Sequence, residues 1–119
     1  MNNPIKIYKV TMQLEKDECG IEVSHWRLLV ETSRYYEIKP ENGPVKRIYK
    51  EKLHTVVDDT KAYQGGMLAC SAFCHEDRIE DMHSLMLDSL QLKIRTYLEA
   101  LHLNQQAIEQ QARNLKSML

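Results

Sequence analysis

Cys70, Cys74, His75 and His83 form the one cluster in the sequence whose residue types suit a metal. Structural zinc wants four convergent ligands, usually opened by a Cys-x-x-Cys pair. Here the cysteines stand four positions apart, and on a strand they would share a face yet lie too far apart to chelate together. His83 falls about two helical turns past His75. Two small buried hydrophobes and two surface or capping histidines account for the same residues. Cys74 and His75 are adjacent, so their side chains diverge, and no Gly-x-Ser-x-Gly elbow is present. Glu76/Glu80 and Asp77/Asp81 pair carboxylates one turn apart, but acidic residues in a first helical turn serve the dipole and solvation. Gly65-Gly66 is not followed by the Lys-Ser/Thr of a phosphate-cradling loop. The expectation is a protein without catalytic residues, metal ligands or cofactor, and therefore not an enzyme.

Binding chemistry is better represented. Lys46-Arg47-Ile48-Tyr49-Lys50-Glu51-Lys52 sets four cations and an aromatic ring on a strand or strand end. Arg34, Tyr35, Tyr36 and Lys39 would lie across a hairpin from it. Alternation groups Val45, Arg47 and Tyr49 on one face and Lys46, Ile48 and Lys50 on the other. A guanidinium beside a phenol ring suits a phosphate with a stacked base or ribose. Lysines and tyrosines on a sheet edge also serve simply to prevent edge-to-edge pairing. Trp26 and Phe73 read as core anchors between sheet and helix, with Phe73 also able to wall a pocket at that junction. Arg95, beside the apolar row of a helix, could point into a cleft at an oligomer seam. The ligand-binding candidates are therefore Arg47, Tyr49, Arg34, Phe73 and Arg95.

These side chains need strands and a helix to hold them. Ile5–Leu14 alternates, with Tyr8, Val10, Met12 and Leu14 on one face and Lys9, Thr11 and Gln13 on the other. Glu15 to Gly20 has turn chemistry. Val23–Val30, Arg34–Lys39 and Val45–Lys50 follow as strands. In Pro40-Glu41-Asn42-Gly43-Pro44, Asn-Gly supplies the positive φ angles of a tight hairpin. Leu53–Gly66 is weaker: Asp58-Asp59-Thr60-Lys61 and Gly65-Gly66 look like loop. Met67–Cys74 reads as a buried last strand. Beyond Glu76 the apolar positions Ile79, Met82, Met86, Leu90, Ile94 and Tyr97 recur at helical steps and continue through Leu101, Ile108, Ala112 and Leu115. The amide-rich stretch at Asn104 is where such a helix could break.

The predicted fold is α+β: an N-terminal antiparallel β-meander over residues 1–75, packed on a long C-terminal helix over residues 76–117, in a single domain spanning 1–119. A helix of about 41 residues is ~60 Å long, far beyond the ~35 Å diameter of a compact chain of this size. Part of its apolar stripe must therefore find a second copy of itself, unless a break at Asn104 folds the tail back. A homo-oligomer through the C-terminal helix is expected. The net charge of −1 lacks the basic excess of a duplex-DNA binder. No apolar run reaches ~18 residues, so no membrane span is expected. The polar N-terminus and three cysteines at irregular spacing fit a reducing, cytoplasmic setting.

The layout of Ile5-Lys6-Ile7-Tyr8-Lys9-Val10, the Arg47-Ile48-Tyr49-Lys50 strand, and Ser71-Ala72-Phe73-Cys74 leading into one long helix resembles small phage proteins, above all the anti-Thoeris sponges. The resemblance covers most of the chain as architecture and size, and it assigns no individual site residue. It implies a sheet followed by helices, assembly into dimers or larger oligomers, and non-enzymatic sequestration of cyclic ADP-ribose signals or related cyclic nucleotides in a host cytoplasm. In that setting Arg47 and Arg95 would hold phosphates while Tyr49 or Phe73 stacked on a base. The competing classes are an inhibitor acting on a protein surface, of anti-restriction or anti-CRISPR type, and a plain dimerisation module.

Overall fold

Alternating apolar residues build the sheet in the computed structural model, which describes residues 5–60, 63 and 66–119. Strand β1 (Ile7–Glu15) is followed by β2 (Glu18–Glu31), β3 (Tyr35–Lys39), β4 (Lys46–Tyr49), a short β5 (Val57–Asp58) and β6 (Met67–His75). A 3₁₀ turn at Glu76–Arg78 then leads into helix α1 (Ile79–Met118). The loop expected around Lys61 and Gly65, and residues 1–4, lie outside the described residues.

The strands run in the spatial order β4-β3-β2-β1-β6-β5, every neighbouring pair antiparallel. The expected meander thus covers β1 to β4, while β6 returns to the free side of β1. The β1–β2 connection narrows to Lys16-Asp17, with Lys16 in the left-handed region at φ 55°. The tight Asn-Gly hairpin does not form. Residues 40–45 make a longer connection, and among the described residues Gly66 is the one glycine with positive φ. Pro40 and Pro44 have fixed φ and no N–H, so neither can enter the ladder that a two-residue turn requires. Gly43 serves close approach instead: a Cβ there would lie 2.8 Å from Cγ of Pro40.

The two sheet faces carry separate cores. Val10 and Met12 of β1 join Leu68, Cys70, Ala72 and Cys74 of β6 under Met82, Met86 and Leu90 of α1. On the opposite face Ile7 and Phe73 pack with Tyr36, Ile38, Ile48 and Leu53. That second core exists because the sheet curls. The register of β2 against β3 slips between Leu28 and Val30, and a bulge of this kind bends and twists its strand. Phe73 and Trp26 accordingly pack away from the helix, Phe73 inside this second core and Trp26 against it, which corrects their expected place between sheet and helix. Ile7 and Phe73 are odd-numbered on strands whose even positions face α1.

Helix α1 is unbroken for 40 residues. Asn and Gln cost only a few tenths of a kcal/mol more than Ala in a helix, and neither Gly nor Pro follows Gly66, so nothing stops it at Asn104. From Arg95 onward every residue is exposed. The molecule measures 82 × 28 × 25 Å, with a radius of gyration of 20.9 Å. Among the described residues no helix is long and apolar enough to cross a membrane.

Met86 is fully buried where α1 meets β1 and β6. Met86→Ala should destabilise the fold by about 2–5 kcal/mol, read as a lower urea midpoint at unchanged slope.

Candidate functional site

Curling brings the β4 end of the sheet over β6, and a cleft of about 330 Å³ lies between them. Its lining includes Lys9, Lys46, Lys52, Ser71, Phe73 and Asp59. Phe73 is 9 % exposed and meets the Trp26 ring perpendicularly at a centroid distance of 5.0 Å. The ammonium groups of Lys9 and Lys46 stand 5.7 and 5.4 Å from its ring centre. Register explains both contacts. Lys9 is the β1 partner of Phe73, and Lys46 shares the inward parity of the buried Ile48. Ser71 Oγ donates to Asp59 Oδ1 at 3.2 Å, which holds the carboxylate against β6.

Ion pairing separates the cations of this region into two groups. Arg47 is bound to Glu37 at 3.2 Å and stacks on the Tyr35 ring at 4.0 Å. Its pKa is raised, first by the hydrogen bond to Glu37 and then by Tyr49. Lys50 is held by Glu31 at 2.7 Å, and its pKa is raised by that contact. Lys93 pairs with Asp58. Lys9, Lys46 and Lys52 make no ion pair among the described residues. Lys9, Lys46 and Lys52 all line the cleft, whereas Arg34 and Lys39, also without an ion pair among the described residues, do not.

The residues expected to bind ligand are only partly gathered. Arg47, Tyr49 and Phe73 line the cleft together, with Arg47 and Tyr49 on the outer face of β4 and Phe73 in its wall. Arg34 lines a separate shallow depression with Ser33, Tyr49 and Lys50. Arg95 is exposed on α1, and the cleft does not include it. Sequence reasoning missed Lys9 and Lys52 and passed over Lys46. For Lys46 the signal was present, since alternation puts it beside Ile48. The juxtaposition of Lys9 with Phe73 needs the β1–β6 pairing, and no local pattern announces that.

The suspected metal and nucleophile residues have other surroundings. Cys70 and Cys74 lie in the helix-side core, where burial pushes the Cys70 thiol up to about 11 and raises that of Cys74. Both are therefore poor nucleophiles at neutral pH. His75 meets His54, ring centres 5.1 Å apart. His54 occupies the left-handed region at φ 60°. Its N–H donates to the Phe73 carbonyl at 2.8 Å, and its Nε2 accepts from the His75 N–H at 3.2 Å. This histidine caps the stretch of β6 that β5 leaves unpaired. Compared with known proteins, the chain matches no family, no curated protein and no solved structure.

The His54 pKa is lowered, first by burial, then by Arg78 and His75, with Asp77 opposing. The unfolded chain therefore binds a proton more readily than the folded one. The stability lost at this site grows as pH falls below the ordinary histidine value near 6.5, and levels off below the folded-state value. Urea titrations between pH 7.5 and 5 should show this decline. His54→Asn tolerates the left-handed backbone and should flatten it.

Proposed function

We propose that the chain is a non-enzymatic binding protein that holds a small phosphate-bearing ligand of nucleotide type in the cleft between β4 and β6. The observation that carries this reading is the set of three lysines, Lys9, Lys46 and Lys52, turned to one cleft without carboxylate partners among the described residues. Ammonium groups around a concave surface attract a polyanion by charge and donate to its oxygens. Asp59 is the one carboxylate in the lining, and its Oδ1 already accepts from Ser71. Ser71 and Thr55 donate their hydroxyl protons to Asp59 and to the Leu53 carbonyl, leaving oxygens that can accept from a ribose hydroxyl, and Tyr49, 42 % exposed at the rim, offers a ring for a base. Phe73 is too enclosed to stack on a ligand and acts as the apolar wall on which the Lys9 and Lys46 ammonium groups rest.

The cleft volume sits at the lower end of the ~300–1,000 Å³ typical of ligand sites, a size suited to one nucleotide unit or to part of a larger cyclic one. In the cell such a protein would work as a sponge, of the kind the anti-Thoeris resemblance implies, lowering the free concentration of a cyclic ADP-ribose or cyclic nucleotide signal.

A thermal-shift panel of cyclic dinucleotides, cyclic trinucleotides and cyclic ADP-ribose isomers tests this reading. Ligand at about 100 times Kd should stabilise the fold by about 2.7 kcal/mol. Lys46→Gln and Lys9→Gln should each weaken binding by ~10-fold, the worth of one charged hydrogen bond. Arg95→Ala should leave it unchanged. The ligand should be recovered intact after the protein is denatured. A flat panel, or binding indifferent to both lysine substitutions, would overturn the assignment and send the search to a protein partner.

A further inference from the structure

Beyond Ile94, the last helix residue packed on the core among the described residues, the Tyr97 ring still meets Tyr63 at 4.6 Å. The arm from Leu98 to Met118 then runs for ~30 Å at 1.5 Å per residue, exposed at every position. It is not a polar arm. Leu101, Ile108 and Leu115 repeat at intervals of seven and are 44 %, 71 % and 54 % exposed. Ala100, Ala107 and Ala112 flank that row. Seven-residue apolar spacing is one of the two rows of a supercoiled seam; the positions of the other row hold Asn104, Gln105, Gln111 and Ala112, and small residues there and beside the row let two backbones approach. Most of a helix's stability in a protein comes from packing its apolar face, and this arm's row is exposed.

We propose that the arm pairs with the arm of a second copy of this chain, antiparallel and centred on Ile108. This goes beyond the ligand reading and does not depend on it. Self-pairing is favoured because the row is symmetric about its own middle. Reversed about Ile108, Leu101 meets Leu115 of the second copy, Leu115 meets Leu101, and Ile108 meets itself. An isologous contact of this kind closes at two chains and leaves no open end.

The body fixes both direction and register. The arm's apolar row continues the row that grips the sheet, in which Met82, Met86 and Leu90 are buried. A parallel partner would therefore carry its sheet toward the same side and drive two bodies into one space. Antiparallel arms hold the bodies at opposite ends. Sliding the pairing one heptad toward the sheet would call on Ile94, which already packs on the core. Centred on Ile108, the contact ends at Leu98 opposite Met118 of the second copy. That point lies beside an apolar notch of about 370 Å³ lined by Tyr63, Leu68, Leu92 and Tyr97, and Met118 is 81 % exposed.

Light scattering with analytical ultracentrifugation at micromolar concentration reads the assembly. The wild-type chain should have twice its 14.0 kDa mass. Ile108→Glu should be monomeric, with the circular-dichroism signal of the sheet retained and part of the helix signal lost. Orientation is read by cross-linking in a Cys19→Ser background, since Cys19 is the exposed thiol. Ile108→Cys should oxidise to a disulfide-linked dimer, and Leu101→Cys alone should not. A mixture of Leu101→Cys with Leu115→Cys should cross-link. A monomeric wild type, or a dimer untouched by Ile108→Glu, would overturn the proposal. Leu101→Cys linking to itself would replace the antiparallel register with a parallel one.

Discussion

Strands β1 and β6 pair antiparallel along their whole length, from Ile7 opposite His75 to Glu15 opposite Met67. Every other feature of the molecule hangs on that ladder. It joins the N-terminal meander to the element that continues into the helix. It sets Val10 and Met12 beside Ala72 and Cys70 to form the floor under Met82 and Met86. On the reverse face it puts Lys9 against Phe73. Because side chains alternate strictly with the pleat, a slip of one residue would turn every one of these groups to the wrong side. Core and cleft are thus set by a single register.

The two faces divide the labour. The helix side is apolar and closed, and its thiols and thioethers are sealed from water. The other side is enclosed only as far as the bulge after Leu28 can bend β2 and bring β3 and β4 over. Where that cover stops, polar and basic side chains take over, and the cleft is the gap left by a sheet that curls without closing. A fully closed barrel would have its backbone edges satisfied internally. This sheet keeps an edge at β4 and another at β5, and the lysines stand between them.

Much of this was legible in the residues. The helical row from Ile79 to Leu115 and the alternation of β1 each follow from a single local period, and both elements formed near their expected bounds. Arg47 illustrates what a local period leaves out. Its type and its neighbour Tyr49 suit an anion site, but Glu37 stands directly across the β3–β4 ladder and takes up its charge. The Asn-Gly signal failed because the flanking prolines weigh more than the turn dipeptide. Lys9 was assigned to the correct face, yet its meeting with Phe73 joins residues 64 positions apart and depends on tertiary pairing alone. Cleft residues were hidden for the same reason the cleft exists: they come from β1, β4 and β6, which meet only because the sheet curls.

The order of the strands also has a consequence during synthesis. The meander from β1 to β4 is complete when the ribosome has passed Tyr49, but one side of β1 stays bare until β6 emerges. Through that interval Val10 and Met12 lack the helix that later covers them, and an unpaired strand beside them is a template for a neighbouring chain. The alternation of Lys9, Thr11 and Gln13 with the apolar positions leaves the bare strand polar at every second residue. Only the residues from Met67 onward supply both its missing neighbour and its cover, so the nascent protein must stay soluble on that polar face until β6 and the first turns of α1 have been made.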